Sequence, residues 1–105
     1  MRKFTLYLGL NDKDTKTQQV ETVEAYKIVS NLLLKRFDGA TIFNAQGIYK
    51  HDNGEIVTEN TFRIELLEFG NSIFEQVKEV VSLLKEIFNQ ESVAVQIQDV
   101  TSDLW

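Results

Sequence analysis

The sequence predicts an α+β fold of order βαββαβ, with a four-stranded antiparallel sheet carrying two helices on one face, the ferredoxin-like arrangement. Three observations point there. Apolar residues alternate with polar ones at both ends of the chain, two apolar stripes of helical period lie between, and Asn53-Gly54 sits between two strand-like runs. Two long helices flanking a sheet this small have room on one face only.

Each element has its own signal. Phe4, Leu6, Leu8 and Leu10 alternate with Thr5, Tyr7 and Gly9, the period of a half-buried strand. The polar run 11–16 breaks it. A helix is predicted over roughly 17–37, with Thr15 or Thr17 at its start, Glu21 and Glu24 near its positive end, and a stripe of Val20, Val23, Ile28, Leu32 and Leu33. Lys35 and Arg36 suit its negative end, and Asp38-Gly39 stops it. Residues 40–50 read as a strand in which Gly47 marks a bulge or a close backbone approach. Asn53-Gly54 supplies the positive φ angles of a tight turn. Ile56, Val57, Phe62, Ile64 and Leu66 form the returning strand. Ser72 with Glu75 three residues on reads as a capping box, opening a helix whose stripe is Val77, Val80, Val81, Leu84 and Phe88. Val93, Val95 and Ile97 make the last strand.

At 105 residues the chain is expected to be one domain, 1–105. It has no cysteine, which excludes disulfides and cysteine-based metal sites or nucleophiles. The start is too short and too alternating for a signal peptide, and no apolar run would span a bilayer, so the expected location is the cytoplasm of a bacterium or a phage-infected cell. The net charge is −5. Residues 1–50 carry eight Lys/Arg and five Asp/Glu, whereas 51–105 carry three and eleven. This balance disfavours nucleic acid as a partner, which wants a basic face.

Motifs narrow the chemistry. Neither GxxxxGK[S/T] nor GxGxxG is present, so phosphate binding by those loops is excluded. The aromatic run of RNA-recognition sheets is also missing. His51, the only histidine, falls in the hairpin turn, where an exposed imidazole is usually incidental. Asn11, Asp12 and Asp14 resemble part of a calcium loop, but Lys13 and Lys16 oppose a cation, and a solvated loop is the better reading. No cofactor is expected.

A set of polar and aromatic residues stands out: Tyr7, Asn44, Gln46, Tyr49 and Arg63 on strands, Arg36 near a helix end, and Gln90-Glu91 before the last strand. Tyrosine rings stack on bases, amides read base edges, and arginine forks hold phosphate. The competing reading is ordinary sheet packing and ion pairing. Tyr7, Phe43 and Tyr49 are placed on the sheet face that the helices leave uncovered, which favours self-association as a homodimer or larger. Trp105 ends the chain as an anchor for a partner or as an edge of the core.

Leu6-Tyr7-Leu8-Gly9-Leu10, Phe37-Asp38-Gly39-Ala40-Thr41-Ile42, Ala45-Gln46-Gly47-Ile48-Tyr49, Asn53-Gly54 and Phe88-Asn89-Gln90-Glu91-Ser92-Val93 occur in an order that resembles a bacterial family of unknown function. The resemblance spans nearly the whole chain. It implies the fold and brings no activity with it. Many members of that family look exported, with an N-terminal hydrophobic segment that is not seen here.

The function expected on these grounds is a non-catalytic, oligomeric binding protein for a small anionic ligand. A nucleotide signal sequestered by a phage-type counter-defence protein would fit. The alternatives are an interaction module that blocks another protein through the acidic second half and Trp105, and a small dimeric enzyme using Glu91 as a base.

Overall fold

Alternation along the first strand decides the architecture. In a computed structural model describing residues 1–105, the elements are β1 (Arg2–Gly9), α1 (Thr22–Leu34), β2 (Thr41–Lys50), β3 (Ile56–Leu67), α2 (Phe74–Ile87) and β4 (Ala94–Asp99). The strands lie in the order β2-β3-β1-β4, every pair antiparallel. The ferredoxin-like βαββαβ fold is therefore present. Phe4, Leu6 and Leu8 stand opposite Leu66, Ile64 and Phe62 on β3, and all six are buried. Against this face α1 lays Ala25, Val29 and Leu33, and α2 lays Val77, Val80 and Leu84. These steps of three and four residues keep one stripe of each helix on the sheet. In α1 the stripe is offset from the expected one: Ile28 and Leu32 only flank it, and Val23 faces solvent.

Both helix starts differ from the local signals. Residues 17–21 stay outside α1, because Lys16 has a left-handed φ of 63° that cannot lead into a right-handed helix at that point. The Thr15 and Thr17 hydroxyls bond each other, and both accept from the Gln19 amide, so neither caps a helix. Asn11 instead bridges to Gln18, folding 11–18 into a closed loop. At α2 the N-cap is Ile73, and no capping box forms. The Ile73 N–H donates to the Glu68 carboxylate, five residues earlier, at 3.0 Å, and Ser72 Oγ accepts from the Phe74 N–H and from Arg2. Glu68 can serve because it is buried, with Arg2 donating to both its oxygens at 2.9 Å. Glu68 is near in sequence, but the Arg2 that fixes it comes from β1, which no local window includes.

The hairpin is also tighter in its chemistry than the Asn-Gly pair suggests. Only Gly54 has a positive φ, at 88°. The Gly54 N–H donates to the His51 carbonyl and the His51 N–H to that of Glu55, so an ordinary turn is followed by one left-handed residue. Gly47 makes no bulge. It pairs with Glu59 inside an unbroken register from Thr41↔Glu65 to Lys50↔Ile56. A Cβ there would lie 3.3 Å from Thr61 Oγ1, so its glycine gives room to a neighbouring side chain.

Because partners across an antiparallel ladder share a face, Tyr7, Arg63 and Phe43 form one row on the helix-free face of the sheet. No helix of the protein is long and apolar enough to cross a membrane.

Candidate functional site

Gly9 ends β1, and its bare backbone determines where Glu59 can lie. Glu59, on β3, extends its carboxylate across β1: a Cβ on Gly9 would sit 2.5 Å from Glu59 Cδ and from both its oxygens. Gly47 stands opposite Glu59 on the other neighbouring strand. A carboxylate is thus laid over the sheet on the bare backbone of Gly9. It accepts one hydrogen bond, from the Asn11 N–H at 2.8 Å, and no Lys or Arg approaches within ion-pair distance. An ionised carboxylate has about four acceptor sites, so most of its capacity faces open space.

That space is a cleft of about 300 Å³, within the size of small-molecule sites. Three segments enclose it. The β2–β3 hairpin brings Tyr49, His51, Val57 and Glu59, the loop after β1 brings Asn11, Asp12, Lys13 and Lys16, and the α2–β4 junction brings Gln90, Glu91 and Ser92. Tyr49 and Val57 face each other across the hairpin and supply the apolar wall. The Tyr49 ring meets His51 edge-on at 5.6 Å. Burial pushes the Tyr49 phenol above its ordinary pKa and the Glu59 charge adds to this, so the hydroxyl remains a proton donor.

The rim is held by its own polar network. Asp12 accepts from the Asp14 and Thr15 N–H groups at 2.8 and 2.9 Å. The Asn89 amide donates to Asp12 and Asp14 at 2.9 and 2.8 Å, and the Lys13 N–H donates to the Asn89 carbonyl. Gln90 reaches the Asn11 carbonyl. The Thr15 N–H first, then Asn89 and the Asp14 N–H, hold the Asp12 carboxyl below its usual range. Asn89 turns the chain out of α2 with a left-handed φ of 48°, which asparagine tolerates. The Asn89-Gln90 pair therefore ties the first loop to the second helix, leaving Glu91 exposed on the rim.

Of the eight ligand-binding residues expected from sequence, Tyr49, Gln90 and Glu91 come together here. The others do not. Tyr7 lies on the same helix-free sheet face as Tyr49 and Glu59 but outside the cleft, its hydroxyl 3.4 Å from Gln96. Arg63 shares that face, 4.0 Å over the Phe43 ring, with its Nε buried and without a hydrogen-bond partner. Asn44 and Gln46 alternate to the opposite face from Tyr49. Arg36 is paired with Glu79 at 2.7 Å and borders a separate groove near Phe37, Phe69 and Leu104. Trp105 is fully exposed. Glu59 is the residue the sequence reading passed over. Its signal was strand alternation with Tyr49, flanked by Gly9 and Gly47 on the adjoining strands. His51, read as incidental, does line the cleft.

A phage SAM lyase in complex with S-methyl-5'-thioadenosine has a similar structure, with a TM-score of 0.73 and 27% identity over 93% of this chain and 80% of the other. The periplasmic divalent cation tolerance protein CutA from Archaeoglobus fulgidus shares the fold, with a TM-score of 0.60 and 18% identity over 99% of this chain and 88% of the other. The divalent ion tolerance protein CutA1 from Ehrlichia chaffeensis does so with a TM-score of 0.55 and 21% identity, covering 97% of this chain and 84% of the other. No protein of curated function matches the sequence. The family model described as "Protein of unknown function (DUF3574)" matches residues 3–103, and the chain belongs to that family.

Proposed function

We propose that the cleft binds S-adenosylmethionine and that the chain cleaves it to S-methyl-5'-thioadenosine. The observation that carries this reading is the unpaired Glu59 carboxylate beside the Tyr49 ring, in a chain 27% identical to a SAM lyase. The charges of the cleft suit such a ligand better than a purely anionic nucleotide. Asp12, Glu59 and Glu91 line it together with Lys13 and Lys16. S-adenosylmethionine carries both signs, a sulfonium and an ammonium with one carboxylate.

The ring of Tyr49, with His51 against its edge, offers an aromatic surface for adenine. Glu59 offers negative charge to the sulfonium. In the reaction, the bond between sulfur and the γ-carbon of the aminobutyryl arm breaks and its electron pair stays on sulfur. The sulfonium charge disappears and the neutral thioether leaves. The arm departs without added water, either closed into a lactone by its own carboxylate or as the isomeric alkene after loss of a β-proton. Consumption of a methyl donor by a phage-type chain would replace the expected sequestration of a nucleotide signal. The helix-free sheet face, together with Ile48 and Ile56 exposed on the hairpin, supports self-association.

The test is incubation of purified protein with S-adenosylmethionine, following S-methyl-5'-thioadenosine by chromatography and the four-carbon product by proton NMR. Multiple turnovers, abolished in Glu59→Gln, support the reading. Stoichiometric binding of S-methyl-5'-thioadenosine without turnover would put a non-catalytic binding protein in its place. Neither binding nor turnover would refute both.

A further inference from the structure

The two lysines on the cleft need an explanation. Lys13 and Lys16 both line it, and neither has a carboxylate within ion-pair distance, although Asp12, Glu59 and Glu91 line the same site. Lys16 also adopts a φ of 63°, a conformation that asparagine or glycine would accept more readily. Strain of this kind persists where the surroundings fix it. Here they do: the Lys16 N–H donates to the Asp12 carbonyl and the Asp12 N–H to that of Thr17, both at 2.8 Å, and Asn89 holds Asp12 and Asp14 from across the cleft. Asp12 and Asp14 are thus engaged by the loop and by Asn89, and the lysine ammonium groups, without an ion-pair partner, are left to face the cleft.

We infer that Lys13 and Lys16 form a carboxylate-recognising wall of the cleft, so that the preferred ligand is an adenosyl thioether or sulfonium bearing a free amino-acid carboxylate. This rests on the proposed function and adds a selectivity to it. The adenosine end lies against Tyr49, the cationic centre faces Glu59, and the carboxylate of the arm faces the first loop. Ligands without that carboxylate lose the lysine contacts and retain the rest.

Isothermal titration with three ligands that this reaction does not consume tests the inference. They are S-adenosylhomocysteine, its decarboxylated counterpart S-adenosylthiopropylamine, and S-methyl-5'-thioadenosine. Wild-type protein is expected to prefer the first over the second by about tenfold, the scale of a charge-assisted contact. The preference should shrink as salt is raised. In Lys13→Met/Lys16→Asn, where asparagine tolerates the left-handed φ, the preference should fall to within about twofold while affinity for S-methyl-5'-thioadenosine is unchanged. A preference that survives in the double variant overturns the inference and leaves the proposed function standing. Failure of S-methyl-5'-thioadenosine to bind the wild-type protein overturns both. Single variants Lys13→Met and Lys16→Asn guard against a folding defect, since a real contact is lost in steps and a folding defect would also weaken S-methyl-5'-thioadenosine.

Discussion

Gly9→Ala should impair the site far more than it impairs the fold. The φ of Gly9 is not in the left-handed region, so the strand backbone itself accepts alanine. What the new methyl group meets is the Glu59 carboxylate, 2.5 Å from its position, where ordinary contact begins at 3.4 Å. Glu59 is the flexible end of a side chain and can rotate away. In doing so it releases the Asn11 N–H, a loss of about 1 kcal/mol in net terms. For a chain of this length that corresponds to about 4–8 °C in Tm. The displaced carboxylate no longer faces the cleft, so affinity for sinefungin, an unreactive S-adenosylmethionine analogue with an amine at the sulfonium position, should fall by tenfold or more, about 1.4 kcal/mol. A double-mutant cycle with Glu59→Ala isolates the cause. With the carboxylate already removed, Gly9→Ala should cost almost nothing further in binding or in Tm. Additive losses in the cycle would refute the reasoning, as would a Tm drop of about 15 °C or more in Gly9→Ala alone, which would mean core damage instead.

Other outcomes follow from the same geometry. Leu6→Ala, at a fully buried position between Ile64 and Val95, should cost about 2–5 kcal/mol in urea unfolding. Glu68 is held below its ordinary 4.5 by the Arg2 hydrogen bonds and then by the Ile73 N–H. A depressed folded pKa means that its stabilisation is complete above the unfolded value and is lost as pH falls through the folded one. Glu68→Gln should therefore flatten the loss of stability between neutral pH and about pH 3, read from urea midpoints. Trp105→Ala should shift stability by no more than about 0.5 kcal/mol in urea unfolding, since the ring is fully exposed.

The parts of the fold that depend on short-range pattern were legible in the sequence. Phe4, Leu6 and Leu8 announced the buried face of β1, and Val77, Val80 and Leu84 that of α2. What failed was decided by contacts between distant residues. Ser72 and Glu75 looked like a capping box, yet Glu68, secured by Arg2 from β1, took the Ile73 N–H. Thr15 and Thr17 looked like caps, yet they close a loop that Asn89 and Gln90 hold from the far side of the fold. The site divided in the same way. Tyr49, Gln90 and Glu91 were identifiable as residue types, whereas Asn44 and Gln46 were grouped with them despite the alternation that turns them away. Glu59 escaped notice because its significance lies in two glycines on strands that pair with its own only after folding.

Titration of isotopically labelled protein with S-methyl-5'-thioadenosine, followed by amide NMR, tests the central assignment of the cleft. Shifts are predicted at residues 11–16, 49–59 and 90–92, three segments far apart in sequence that meet only at this site. Shifts confined to Tyr7, Phe43 and Arg63, on the part of the helix-free face away from the cleft, or no shifts at saturating ligand, would contradict it.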